Sequence, residues 1–384
     1  MTHRPVKSIY VHIPFCQTIC PFCAFAVLPE PKDHQNYLQL LCSELDQYKQ
    51  AFQLDLSAVF SVYFGGGTPS RLSLTELSWI VGCFPDHLRT PQVQWTIELN
   101  PEDLSPGYAL GLRELGFNRV SLGVQSFDDG SLKTLGRSHT TAQSHQALES
   151  LLAAGFNDIN LDFMFGYPGQ TEANFQKDLS QFTALPATHL SAYALGVEKG
   201  SKIYRNSLWR EFPSKQEQNI SAQYMELIKV FQSAGFLQYE VSNFSKPGHQ
   251  SRQNLSNWAG EAYLGLGMSA HGYIQGSRYA NQRRHKEYRT AVSQNSFPWV
   301  SNEKLTGQQQ QEELWMLGLR QPIGVDLAVF FKNPEKLVTQ LTGLEGKGLL
   351  KIQGTRLSLT PQGMLLADEL SSYLLSREGV DLLW

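Results

Sequence analysis

The chain has 384 residues, of which 41% are hydrophobic and 17% charged, with a formal net charge of −3. That length allows one large core with one or two accessory units, and the composition excludes a disordered chain. The charge gives no basis for a nucleic-acid or anionic-membrane partner, and no apolar run reaches the roughly 18–20 residues of a membrane span.

The polar stretch from Met1 to Ser8 runs directly into Ile9-Tyr10-Val11-His12-Ile13, which reads as a buried strand and leaves no room for a signal or transit peptide. A cytoplasmic location is therefore expected. From there to about residue 245, apolar runs alternate with amphipathic helical stretches. Strands are predicted at Ser8–Phe15, Val59–Phe64, Gln94–Leu99, Arg119–Val124, Asp158–Phe165 and His189–Leu195. Helices are predicted at Asp33–Phe52, Leu74–Leu88, Pro106–Leu115, Ala142–Ala154, Glu172–Leu185 and Gln216–Ala234. Such alternation means a parallel sheet, because each parallel pairing needs a crossover. The triplets Leu115-Gly116-Phe117, Ala154-Gly155-Phe156 and Ala234-Gly235-Phe236 each close a helix on glycine and open a strand on phenylalanine.

The fold class expected is α/β: six units forming an open, partial (β/α)6 barrel of TIM type, with a doubly wound open sheet as the alternative. Three regions follow: the barrel at 1–245, a connecting segment with a Gly-rich loop at 246–300, and a small α+β unit at 301–384. In the last, helices at Gln308–Leu319 and Asn333–Gly346 precede a hairpin at 349–359 that turns at Gly354, and Thr360 caps a final helix to about Leu375. This order resembles a winged helix without a basic surface, so it reads as a packing or lid unit.

Three of the five cysteines lie within eight residues, in Cys16-Gln17-Thr18-Ile19-Cys20-Pro21-Phe22-Cys23. Clustered thiols in a reducing compartment point to metal rather than a disulfide framework. Three thiolates on one loop suit three irons of a cubane and leave the fourth iron for an exogenous ligand. Zinc competes if His12 supplies a fourth ligand. Cys42 and Cys83 sit in apolar helical patterns and read as small core residues. Gly65-Gly66-Gly67-Thr68-Pro69 follows the second strand; it can bring backbone close to a ligand, and it lacks the Gly-Lys-Ser/Thr of a phosphate loop. Glu98, Gln125, Ser126 and Asp162 are polar positions at or near the ends of apolar strands, where a parallel barrel places its active face.

The order Tyr10-x-His12-Ile13-Pro14-Phe15-Cys16-x3-Cys20-x2-Cys23 resembles the radical S-adenosylmethionine (SAM) superfamily. The branch it resembles holds oxygen-independent coproporphyrinogen III dehydrogenase and the heme chaperone HemW. The resemblance implies a radical SAM barrel with a 4Fe–4S cluster on Cys16, Cys20 and Cys23, whose open iron is chelated by the amino and carboxylate groups of SAM. It further implies that the cluster can supply an electron to cleave SAM to a 5′-deoxyadenosyl radical. It assigns SAM contacts to Tyr10, Gly66, Gly67, Thr68, Glu98, Gln125, Arg137 and Asp162. Phe22, with Gly67, Thr68, Gln125, Arg137 and Asp162, would border a second SAM or substrate space. Gly166-Tyr167-Pro168-Gly169-Gln170-Thr171, Tyr239-Glu240-Val241-Ser242-Asn243-Phe244, Tyr263-Leu264-Gly265-Leu266-Gly267 and Leu359-Thr360-x2-Gly363 extend the likeness over nearly the whole chain.

Within that branch, the dehydrogenase carries another cysteine two residues after the triplet, where this chain has Ala24-Phe25, and it has a longer segment before the tyrosine. Both features favour the heme-chaperone side. There the resemblance implies heme or another tetrapyrrole as ligand, heme-acceptor proteins and an electron donor as partners, and no nucleic acid. It leaves open homodimer formation and whether the chain is an enzyme. One departure stands out: the branch's H-N-x-x-Y-W, whose histidine is implicated in heme binding, is Gln253-Asn254-Leu255-Ser256-Asn257-Trp258 here. His249 and His271 are the candidate substitutes.

Overall fold

The computed structural model describes residues 5–29 and 34–376. Six strands run parallel in chain order: β1 Ser8–Ile13, β2 Ser61–Gly66, β3 Gln94–Leu99, β4 Arg119–Gln125, β5 Ile159–Phe165 and β6 His189–Ala194. Their registers bring Ile13 opposite Gly66, Glu98 opposite Ser121 and Asp162 opposite Ser191, so the strand ends converge on one mouth. The crossovers contain α1 Gln35–Phe52, α2 Leu74–Gly82, α3 Pro106–Glu114, α4 Asp129–Thr134, α5 Thr141–Ala153 and α6 Glu172–Ala184. After β6 come α7 Ser207–Lys215 and α8 Glu217–Ser233. The predicted strands agree to within about two residues; α4 and α7 were not predicted, and the expected start of α1 at Asp33 lies outside the described residues.

Local chemistry explains the boundaries. In α1, Tyr37, Leu38, Leu41, Leu45 and Tyr48 are buried, a spacing that keeps one face on the sheet. A reciprocal capping box between Ser73 and Glu76 starts α2, and another between Thr140 and Gln143 starts α5. Gly116 and Gly155 follow α3 and α5 at φ +96° and +84°, the left-handed region in which glycine ends a helix without steric cost.

The sheet extends beyond the six strands at both edges. β7 Leu237–Gln238 and β8 Asn243–Ser245 add antiparallel strands beyond β6. On the other side β9 Tyr263–Leu266 runs parallel to β1, and β10 His271–Ile274, β11 Ser277–Asn281 and β12 Trp299–Lys304 continue antiparallel. Among the described residues the sheet therefore has twelve strands in the order β12-β11-β10-β9-β1-β2-β3-β4-β5-β6-β8-β7. The extra strands are two to six residues long, too short for their alternation to carry much signal in the sequence.

A second hydrophobic core gathers around Trp315, with Leu327, Leu341, Leu357 and Leu374 fully buried. Helices Gly307–Leu319 and Pro334–Gly346 pack on a small antiparallel sheet of β13 Val325–Asp326, β14 Leu350–Gln353 and β15 Arg356–Leu359. Gly354 turns the hairpin at φ +62°. Thr360 is an N-cap as expected, but the single final helix is two, Pro361–Met364 and Ala367–Leu375. Gly363 lies so close to the Leu349 carbonyl that a Cβ has no room there.

Two buried features correct or extend the expectations. Cys42 and Cys83 are not separate core residues: they are half-buried and joined as a disulfide between α1 and the C-terminal end of α2, with Cα atoms 5.9 Å apart. Their 41-residue separation hides a proximity that only helix packing creates. Glu44 of α1 is fully buried and accepts hydrogen bonds from Gly267 N (2.8 Å), Asn281 Nδ2 (2.6 Å) and the Tyr288 hydroxyl (2.7 Å). It ties the first helix to the Gly-rich loop after β9.

Candidate functional site

A cavity of about 670 Å³ opens at the carboxyl ends of the parallel strands, and all three thiols of the triplet line it. Cys16 Sγ lies 3.4 Å from Thr68 Oγ1, and Arg137 Nη1 donates to Cys20 Sγ at 3.4 Å. The other Arg137 terminal nitrogen, Nη2, is fixed by Asn100 Oδ1 (2.7 Å) and the Gly123 carbonyl (3.0 Å), so its charge is held against the thiol loop. Burial pushes the Cys16 thiol up to about 11 and raises that of Cys23, so both are neutral until a metal displaces the proton.

The donor set fits a cubane better than zinc. Among the described residues no three His, Cys, Asp or Glu side chains are gathered closely enough to chelate one ion; a cubane instead takes its thiolates on different irons. His12, the candidate fourth zinc ligand, has both ring nitrogens engaged. Its Nε2 donates to the Ala26 carbonyl (2.9 Å), and its Nδ1 lies 3.1 Å from the Tyr10 hydroxyl.

The glycine loop ends β2 beside the thiols. Gly66 has φ +108° and lies against the His12 imidazole; a Cβ on Gly67 would come within 2.6 Å of the Pro14 carbonyl carbon. The loop is thereby pressed onto the cysteine strand. Gly66 N donates to Glu98 Oε2 at 3.0 Å, and the Tyr63 hydroxyl donates to Oε1 at 2.8 Å. Burial, with the charge of Asp162, pushes the Glu98 carboxyl up to about 7. Asp162, on β5, accepts from Asn160 Nδ2 at 2.8 Å, and burial raises its carboxyl to about 6. Gln125 ends β4 at φ +69° after a break in register, a strained conformation that turns it to the cavity wall.

Of the candidate residues, Cys16, Cys20, Cys23, Phe22, Gly66, Gly67, Thr68, Glu98, Gln125, Arg137 and Asp162 all line this cavity, whereas Tyr10 does not. Tyr10 stacks on Tyr63 with ring centroids 6.2 Å apart. Ser126 turns outward to Asp178 (2.8 Å). Tyr63, Asn100, Arg119 and Asn160 also line the cavity and were not among the candidates. Asn100 and Asn160 were legible as polar residues flanking Glu98 and Asp162; Tyr63 and Arg119 looked like ordinary strand residues.

The histidine substitutes do not reach the cavity. His249 Nδ1 faces Asp158 at 3.6 Å, and His271 is exposed at the start of β10. Gln253 is 4% exposed and packed beneath the strands: its amide nitrogen donates to Ser8 Oγ (3.1 Å), and its oxygen accepts from Ser61 Oγ (3.3 Å). The short helix Arg252–Trp258 thus closes the amino-terminal end of the barrel.

A parallel partial barrel with a three-cysteine loop and a glycine loop at its mouth defines a protein of the radical SAM superfamily, whose family model matches residues 10–182. A model of the HemN C-terminal domain matches residues 305–366. The chain belongs to the heme chaperone HemW family. It is 34% identical to heme chaperone HemW of Bacillus subtilis (strain 168) over 375 residues, covering 95% of this chain and 98% of that one. It is 34% identical to heme chaperone HemW of Lactococcus lactis over 379 residues, covering 96% and 97%. The solved structure of coproporphyrinogen III oxidase (HemN) from Escherichia coli matches with a TM-score of 0.81 at 22% identity, covering 97% of this chain and 90% of that one. At that identity the likeness bears on the fold alone.

Proposed function

We propose that the chain binds heme and passes it to acceptor proteins, with a 4Fe–4S cluster on Cys16, Cys20 and Cys23 and SAM beside it. The observation that carries this reading is the wall of the cavity. Ile19, Phe22, Phe25, Met164, Tyr193 and Leu195 line it together with the thiols, and Phe25 is 65% exposed at its edge. About 670 Å³ lies in the upper part of the range of small-molecule sites, roughly 300–1,000 Å³, and an apolar wall of this kind suits a flat macrocycle. The near-full-length likeness to two HemW chaperones supports the same ligand.

In this reading the chain's own residues divide the work. Glu98 and the Gly66–Thr68 backbone receive the amino-acid end of SAM, while Gln125, Arg137 and Asp162 face the remainder. Arg137 stabilises charge on the thiolate loop. Cys16, Cys20 and Cys23 would hold the cluster, which, once reduced by an electron donor, would supply one electron for cleavage of SAM. Residues 1–245 carry these sites, 246–300 join them to 301–384, and the last acts as a packing or lid unit. A cytoplasmic setting is part of the same proposal; among the described residues no helix is long and apolar enough to cross a membrane. Homodimer formation belongs to the same proposal.

Anaerobic reconstitution tests the reading. Cluster-loaded protein titrated with heme is expected to give a saturable Soret shift at one equivalent and to yield heme to an apo-acceptor. Replacing Cys16, Cys20 or Cys23 with serine is expected to abolish the iron–sulfur absorbance. Loss of carboxylates from coproporphyrinogen III, with formation of 5′-deoxyadenosine, would overturn the chaperone reading.

A further inference from the structure

The cavity does not end at the mouth. Arg119 is the first residue of β4 and Gln125 the last, yet both line it. Six residue steps of roughly 3.3 Å put these positions about 20 Å apart along the strand. The cavity therefore runs from the thiol loop toward the amino-terminal floor of the barrel, where Ser251 and Asn254 of the closing segment also line it.

At that floor Arg119 is 2% exposed, and among the described residues its Nε has no hydrogen-bond partner. Its one ion pair among the described residues is with Asp158 Oδ1 at 3.7 Å, beyond hydrogen-bond reach. Asp158 is engaged elsewhere: Thr188 Oγ1 is 3.4 Å away, Gln94 Nε2 3.3 Å and His249 Nδ1 3.6 Å. Glu98 and Asp162 feel the Arg119 charge, but neither hydrogen-bonds to it. Their oxygens are held by Tyr63, Gly66, Asn160 and Ser121. A buried guanidinium with an unfilled donor is costly unless an acceptor arrives. Asn254 adds a donor at the same floor, its amide nitrogen held among the described residues by a 3.4 Å bond to the Tyr239 hydroxyl. A purely structural counter-ion would normally have its Nε hydrogen-bonded, and among the described residues that atom is not.

The geometry points to a carboxylate-binding subsite at the barrel floor, formed by Arg119 and Asn254, that receives an acidic side arm of the ligand occupying the cavity. A guanidinium presents a planar fork matched to a carboxylate. The inference rests on the heme reading, since heme carries two propionate arms on an apolar ring. The carboxylate of a second SAM molecule, not the one held at the cluster, is the other source of the same chemistry.

The test compares heme with heme dimethyl ester on cluster-loaded protein, with SAM binding measured in parallel. Wild type is expected to bind heme at least about tenfold more tightly than the diester, one charge-assisted interaction's worth. Arg119→Gln is expected to lose that preference while leaving diester affinity, iron content and SAM affinity unchanged. Arg119→Lys, which keeps the charge but not the fork, is expected to recover part of it. A fall in SAM affinity with heme binding unmoved would assign the subsite to the SAM carboxylate. Equal binding of heme and diester by wild type overturns the inference for propionate without needing any variant to fold, and if SAM affinity is also unmoved in Arg119→Gln, no carboxylate subsite exists. Wild type that binds no heme sinks the chaperone reading instead, and the SAM arm then decides the subsite alone.

Discussion

The backbone N–H of Gly66 donates to Glu98 Oε2 at 3.0 Å, which couples the glycine loop after β2 to the end of β3. The same carboxylate holds the Tyr63 hydroxyl, so one buried acid sets the position of the loop that faces the thiols. Its proton affinity consequently bears on any cationic ligand group placed there.

Burial holds the Glu98 carboxyl at about 7, so it gains a proton as the pH falls through neutrality. If the amino group of SAM donates an N–H to this carboxylate, SAM affinity is expected to fall about tenfold between about pH 8 and about pH 6. Glu98→Gln should flatten that dependence and lower the plateau. Equilibrium binding of SAM to cluster-loaded protein at each pH checks both.

Gly67 leaves no room for a side chain, because the Pro14 carbonyl carbon would lie 2.6 Å from a Cβ and the Ile13 carbonyl oxygen 2.7 Å. Both neighbours are backbone and cannot rotate away. Gly67→Ala is expected to cost about 1–3 kcal/mol and to displace the loop from the thiols. Thermal melting reports the first effect, and iron retention after reconstitution the second.

The Cys42–Cys83 bond joins α1 to the end of α2 across 41 residues. Closing a loop of that length in the unfolded chain is worth about 3–4 kcal/mol. Thiol reductant, or Cys42→Ser with Cys83→Ser, is expected to lower the melting temperature without changing iron content, because neither residue lines the cluster cavity. Mass spectrometry before and after reduction establishes the state of the pair.

Glu44 is raised by burial to about 7, against hydrogen bonds from Gly267, Tyr288 and Asn281 that act to lower it. The folded state thus binds its proton more tightly than the unfolded chain. The stability this contributes is fully present below about pH 4.5 and is lost as the pH rises through about 7, a span of about 3 kcal/mol. Denaturant melts of wild type and Glu44→Gln from about pH 5 to about pH 8 should show the stability difference between them shifting against wild type as the pH rises.

The architecture was legible wherever one short stretch carried both pattern and chemistry. The Cys16–Cys23 loop, the Gly65–Thr68 loop and the helix-ending Gly116 and Gly155 needed only local spacing, and the parallel strands announced themselves as apolar runs. The weaker strands β9 to β12 did not, because their short alternation leaves them without a distinctive period. Tyr63 and Arg119 stayed hidden for a related reason: a strand's period gives the face of a residue, not whether that face meets core or cavity.

By itself, then, the sequence determined the cysteine and glycine loops, the order of strands and helices, and the Glu98, Gln125 and Asp162 strand positions. Only the tertiary structure decided that Gln253 is held between Ser8 and Ser61, that Glu44 serves Gly267 and Asn281, and that Cys42 meets Cys83. Those partners lie 41 to 245 residues apart. Local periodicity records which face of an element is buried, but the contact across that face is chosen by how the elements pack, and packing is a property of the whole chain.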